Sequence, residues 1–205
     1  MNNQYTEEEE KFLSWFKDNL KSLLAGLFLG IFFIISYKYY VNYQDQITTN
    51  LSFEYEKTIQ KYREGDTKYL LEKDKQLSSD YPSNIYTNLI SLYSVKIFID
   101  NNEIDKAFEK LNFVISNSPS QHIKMIAQIR KARLMISNDQ LVDAKNLIQR
   151  IDPNQKNYIL VELLGDIYFK NGEIELAKKK YNEVLNFNLT PNKLKIMENK
   201  INTIQ

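Results

Sequence analysis

The sequence has no cysteine, so disulfides, thiolate nucleophiles and cysteine-rich zinc sites are excluded together. Glycine and proline are sparse, five and four in 205 residues, and without them the tight turns of a β-sandwich or barrel cannot be made in number. Histidine occurs once, as His122, which supplies neither a tuned acid–base pair nor the usual ligand set for a transition metal. It reads as a solvated residue near a helix start. No glycine-rich phosphate loop exists, because Gly26 and Gly30 lie in an apolar run and the other glycines stand at turns or packing positions. Charge of one sign is not in excess either: 27 basic residues meet 26 acidic ones, interleaved along the chain. No basic stripe is left to follow a phosphate backbone, and nucleic acid is not an expected partner. The Glu7 to Glu10 run lacks the alternating spacing of a calcium loop and reads as a solvated tail. No catalytic residue, metal or cofactor is expected, and the chain is read as a non-enzyme.

What remains is apolar. A hydrophobic content of 43% is enough for one substantial core plus an appendage, and with so few turn formers it predicts an all-α fold. From Ser22 to Tyr37 the run SLLAGLFLGIFFIISY carries no charge. As a helix rising about 1.5 Å per residue it covers about 24 Å, a little less than a hydrocarbon core of about 30 Å. Lys21 and Lys38 extend the reach, since their methylenes lie along the helix while their ammonium groups rise to the headgroups. Trp15 and Phe16 before the run, and Tyr37, Tyr39, Tyr40 and Tyr43 after it, suit the two water interfaces. A cleaved signal peptide needs a basic start and small residues at the cut, whereas here a glutamate run precedes and the bulky YKYYVNY follows. Residues 22–41 are therefore expected to stay as a single transmembrane anchor. Lys11, Lys17 and Lys21 precede it, and only Lys38 follows closely, the next being Lys57. The positive-inside rule then puts the tail, residues 1–21, in the cytoplasm and everything after about Tyr40 on the far side. Within the span Gly26 and Gly30 form a G-x-x-x-G face on which another membrane helix can pack closely.

The remainder, residues 44–205, repeats. Pro82, Pro119, Pro153 and Pro191 are separated by 37, 34 and 38 residues, a period typical of two-helix repeats of the tetratricopeptide kind, with each proline marking a boundary. Three stripes recur: Ile104, Ala107, Leu111, Val114; Leu141, Ala144, Ile148, Ile151; and Ile174, Ala177, Tyr181, Val184. Each is one helix face, and its second member is alanine, where paired helices pass too closely for a larger side chain. The turns before them, NNEIDKA, NDQLVDA and NGEIELA, hold Asn, Asp and Gly, which tolerate a left-handed backbone. Val161, Leu164 and Tyr168 mark a first helix, where Gly165 allows close packing, and Lys131 stands where a repeat favours an apolar residue. Helix pairs are expected at about 44–81, 83–118, 120–152 and 154–189. A last helix, 191–205, starts behind Thr190 as cap with Pro191 in its first turn, and Leu194, Met197, Ile201 and Ile204 make its apolar face. It is read as the lid closing an α-solenoid. First helices of such stacks line the binding groove, and the outward positions there are Lys96, Arg133, Glu162, Asp166 and Phe169.

The order of features is an acidic tail, EKFLSWFKDN, a glycine-containing anchor, YKYY, and degenerate repeats ending in LTP and a KIN helix. It resembles the YfgM-like ancillary subunits of the bacterial SecYEG translocon over nearly the full chain, although the signature tryptophan of tetratricopeptide repeats is missing. The resemblance implies a single-pass inner-membrane protein with its repeat domain in the periplasm. Its implied partners are the SecYEG channel, a PpiD-like membrane-anchored chaperone and exported polypeptides passing to chaperones. The same fold and anchor also suit a membrane-tethered scaffold for another envelope or cell-division complex.

Overall fold

The computed structural model describes residues 6–204, and among these all regular structure is helical. In chain order the helices are α1 Glu7–Arg63, α2 Thr67–Asp80, α3 Ile85–Asp100, α4 Ile104–Asn117, α5 Gln121–Ser137, α6 Leu141–Ile151, α7 Tyr158–Lys170, α8 Ile174–Leu185 and α9 Pro191–Thr203. The chain divides into two compact units between Leu51 and Ser52. No helix starts near Gln44, where the first pair is expected. Neither glycine nor proline occurs between Gly30 and Gly65, so nothing stops α1 before Gly65.

In the first unit an 18-residue window of α1 is long and apolar enough to cross a membrane, and none of it is buried. Phe28, Phe32, Phe33, Ile34 and Ile35 are all exposed. Such a surface is unfavourable in water and favourable in hydrocarbon, where a helix also satisfies its own backbone. Phe12 stacks on Trp15 with ring centroids 6.4 Å apart, ahead of the apolar stretch. A Cβ added at Gly26 or Gly30 would meet nothing within 4 Å, so this face of the helix is bare.

The second unit is built by one repeated local device. Each first helix opens on a side-chain cap: Asn84 accepts from Tyr86 N at 2.9 Å, Ser120 from Ile123 N at 3.4 Å and Asn157 from Ile159 N at 2.9 Å. Each ends on a left-handed residue, Asn102 at φ 61°, Asp139 at 58° and Gly172 at 76°. Beyond these, Glu103 N donates to Phe98 O at 2.7 Å, Gln140 N to Met135 O at 2.9 Å and Glu173 N to Tyr168 O at 2.8 Å. These are Schellman closures, which satisfy carbonyls that the helix end would leave bare and turn the chain directly into the second helix. The end of α1 repeats the motif with Gly65 at φ 95° and Asp66 N donating to Lys61 O at 3.0 Å.

Helix pairs then close on small residues. Ala107, Ala144 and Ala177 are fully buried, and Leu111, Val114, Ile148, Tyr181 and Val184 are buried beside them. At Gly165 the approach is tighter still: an added Cβ would lie 2.6 Å from Cδ1 of Tyr181 and closer to Cε1. Lys131, standing where a repeat favours an apolar residue, donates to Asn112 Oδ1 at 2.7 Å and is thereby accommodated at the edge.

Near its start the unit is tied by a buried carboxylate. Asp74 of α2, 2% exposed, pairs with Lys110 of α4 at 2.9 Å. It also accepts from Ser91 of α3 at 2.6 Å and from Ser78 at 3.0 Å. Three helices share one charge and its full set of donors, which is the condition for burying it.

Candidate functional site

The last helix docks differently from the others. Its Thr190 cap accepts from Lys193 N at 3.4 Å, with Pro191 in the first turn. Met197 is fully buried and Ile204 nearly so, yet Leu194 is 40% exposed. Of the expected apolar face Met197, Ile201 and Ile204 turn inward and Leu194 does not, and the inward side also carries Lys193 and Lys200. The reason lies on α7, where Glu162 presents a carboxylate that is only 6% exposed. Lys193 pairs with its Oε2, and Lys200 donates to its Oε1 at 2.9 Å. Lys200 also donates to Asp166 Oδ1 at 2.6 Å, an atom that accepts from the Tyr181 hydroxyl at 2.7 Å.

These groups are held in their charged or bonded states. Burial alone raises the Glu162 carboxyl, but the hydrogen bonds and charges of Lys193 and Lys200 outweigh it and hold its pKa below the ordinary 4.5. Burial likewise opposes the Lys200 ammonium, and the bonds to Asp166 and Glu162 overcome it, raising the pKa. Burial and the hydrogen bond to Asp166 both push the Tyr181 hydroxyl up, so it remains a donor throughout the ordinary pH range.

Alpha-helix α9 lies along α8, and lysine arms cross the space to α7. Beneath them, α5, α7, α8 and α9 enclose a cleft of about 820 Å³, within the range of small-molecule and peptide side-chain sites. Ile136, Leu163, Phe169, Ile196 and Ile204 make its lining largely apolar. Phe169 and Ile196 are 43% and 48% exposed, so the apolar surface opens to solvent.

Of the groove positions read from the sequence, Arg133, Glu162, Asp166 and Phe169 line this one cleft. Lys96 does not line it; it lies exposed on α3 and pairs with Asp100 of its own helix. Glu162 is no solvated position, because α9 covers it. Lys170, at the cleft edge, donates to Ile136 O at 2.9 Å and to Asp139 at 2.7 Å. Lys193, Lys200, Ile196 and Ile204 were not among the expected groove positions. The spacing of Lys193, Met197, Lys200 and Ile204 carries the signal, readable once lysine is allowed on an inward face. His122 is exposed and stands outside the cleft.

Three curated relatives, each named an ancillary SecYEG translocon subunit, resemble the chain along most of its length. The protein of Escherichia coli strain K12 is 23% identical over 198 residues, covering 97% of this chain and 95% of the relative. That of Buchnera aphidicola subsp. Schizaphis graminum is 29% identical over 189 residues, covering 90% and 96%. That of Aggregatibacter actinomycetemcomitans is 25% identical over 183 residues, covering 87% and 89%. No solved structure matches the chain. The tetratricopeptide repeat-like domain family matches residues 13–205, which takes in the anchor helix, the repeated Schellman turns and the cap alike, and the chain belongs to that family.

Proposed function

We propose that this protein is a non-catalytic, membrane-anchored ancillary subunit of the SecYEG translocon, a periplasmic adaptor that helps exported proteins pass to chaperones. The observation that carries the reading is likeness over nearly the whole length, anchor and repeats together, to proteins bearing that subunit name. A repeat domain alone would leave the partner open, since the fold serves many.

The physical parts are consistent with the role. The exposed apolar stretch of α1 provides the anchor, and the bare Gly26 and Gly30 face is available to a helix of the channel. With Lys11, Lys17 and Lys21 kept in the cytoplasm, the repeat domain lies in the periplasm beside the channel exit. There, tethering raises the effective concentration of a weak binding cleft for emerging chains. A PpiD-like chaperone and exported polypeptides are the corresponding partners. Mild detergent extraction of the tagged full-length protein tests this: SecYEG and the chaperone should co-purify, and Gly26→Leu with Gly30→Leu should reduce the channel's recovery. Recovery of neither partner contradicts the proposal.

A further inference from the structure

The charges around the α5, α7 and α9 cleft are not evenly matched. Glu162 is taken by Lys193 and Lys200, Asp166 by Lys200 and Tyr181, and Lys170 by Asp139. Among the described residues Arg133 has no hydrogen bond or ion pair, and it is the cleft's one charged side chain in that condition. A guanidinium offers its donors in a fixed planar fork that fits a carboxylate bidentately. Arg130, three residues earlier on the same helix, adds a second positive charge and donates its Nη1 to Leu92 O at 2.9 Å. Burial first, and then the charge of Arg133, lower the Arg130 pKa. An anion placed at Arg133 relieves that repulsion.

Beside Arg133 the lining turns apolar. Ile136 lies one turn along the same helix, and the exposed Phe169 and Ile196 face the same space from α7 and α9. A free fork next to open apolar surface selects for a carboxylate and a large apolar side chain on one short segment. A basic segment finds both cleft carboxylates already occupied by ammonium groups.

We infer that the cleft binds a flexible polypeptide segment that carries a Glu or Asp side chain next to a bulky apolar residue, with Arg133 clasping the carboxylate and Phe169 and Ile196 packing on the apolar side chain. The inference rests on the reading of the repeat domain as a binding module and adds the chemistry of what that module holds. The inference commits to an internal acidic side chain as the source of the carboxylate, and blocking the C-terminus in the test removes the other source.

The test uses the full-length protein in detergent micelles and fluorescein-labelled peptides with amidated C-termini. The peptides carry a Phe-Leu pair beside Glu, beside Gln or beside Lys, and binding is read by fluorescence anisotropy. The Glu peptide should bind saturably, and the Gln and Lys peptides about tenfold more weakly, as expected for loss of one charge-assisted contact. Arg133→Gln should weaken the Glu peptide about tenfold and make the Glu and Gln peptides equal, while Lys96→Gln changes nothing. Phe169→Ser should weaken all peptides and keep the Glu preference. Circular dichroism of each variant separates these effects from unfolding.

A Glu preference that survives Arg133→Gln overturns the inference, as does equal binding of the Lys peptide or binding that requires an unblocked C-terminus. Concentration-dependent self-association abolished by Arg133→Gln, with no peptide bound, assigns the cleft to a second copy and also overturns it. Co-purification with SecYEG is independent of these readouts. Success there with failure here removes the ligand chemistry alone, and the reverse removes the translocon role alone.

Discussion

The repeat unit is fastened near both ends by a buried carboxylate that reaches a lysine two helices further on, yet the two fastenings do different things. At the start, Asp74 and Lys110 close on each other with Ser78 and Ser91 filling the remaining bonds. At the finish, Glu162 and Asp166 hold Lys193 and Lys200 across a cleft of about 820 Å³. The same pairing of charges seals one place and props the other open. What differs is the partner of the lysines. Lys110 comes from α4, packed between α3 and α5, whereas Lys193 and Lys200 come from α9, which among the described residues packs on α8.

Breaking the closed fastening should have the largest effect. Asp74→Ala removes a nearly fully buried carboxylate and leaves Lys110, Ser78 and Ser91 without their shared partner, and urea denaturation followed by circular dichroism should show a loss of about 3–5 kcal/mol. Glu162→Ala should lose less, about 2–3 kcal/mol, because Lys200 keeps Asp166 as a partner at 2.6 Å. The loss should be local: amide hydrogen exchange should rise in α9 and stay unchanged in α2 to α4. Gly165→Ala sharpens the comparison from inside the cleft wall. Overlap with the Tyr181 ring should outweigh the better helix propensity of alanine and destabilise by about 1–2 kcal/mol.

Acid separates the open fastening from ordinary surface pairs. The Glu162 pKa is depressed in the folded protein, so its stabilising contribution is fully present above the unfolded value, near 4.5, and is lost as pH falls through the lower folded value. The stability of Glu162→Gln should therefore fall less steeply than that of the wild type below about pH 4.5. The smallest effect belongs to Lys96, whose pair with Asp100 is exposed on both sides. Lys96→Ala should leave the urea midpoint unchanged.

Much of the fold was legible because its devices are local. Asn102, Asp139 and Gly172 announce left-handed turns by residue type, and the alanines of the three stripes announce close crossings by position. The apolar run of α1 is legible by length alone. The start of the first helix pair was not, since only the lack of any glycine or proline between Gly30 and Gly65 says that α1 runs on past residue 44.

The cleft was legible in part. Arg133, Glu162, Asp166 and Phe169 share a first-helix register, and that register puts them on one space. That Glu162 is covered and not solvated depends on α9, which lies far along the chain and turns a lysine-bearing face inward. Amphipathic reading assigns lysine to solvent, and so it found Met197, Ile201 and Ile204 but passed over Lys193 and Lys200 beside them. Long-range charge pairing is the part of the design that period and propensity do not encode.

The account depends most on an apolar helix holding the repeat unit at the outer face of the inner membrane. Protease added to intact spheroplasts tests it directly, with fragments detected by tags at both the N-terminus and the C-terminus. Digestion of the repeat unit with survival of a short N-terminal anchor fragment is the predicted result. A C-terminal portion that stays intact until detergent opens the bilayer would contradict the placement and the role at the export channel with it.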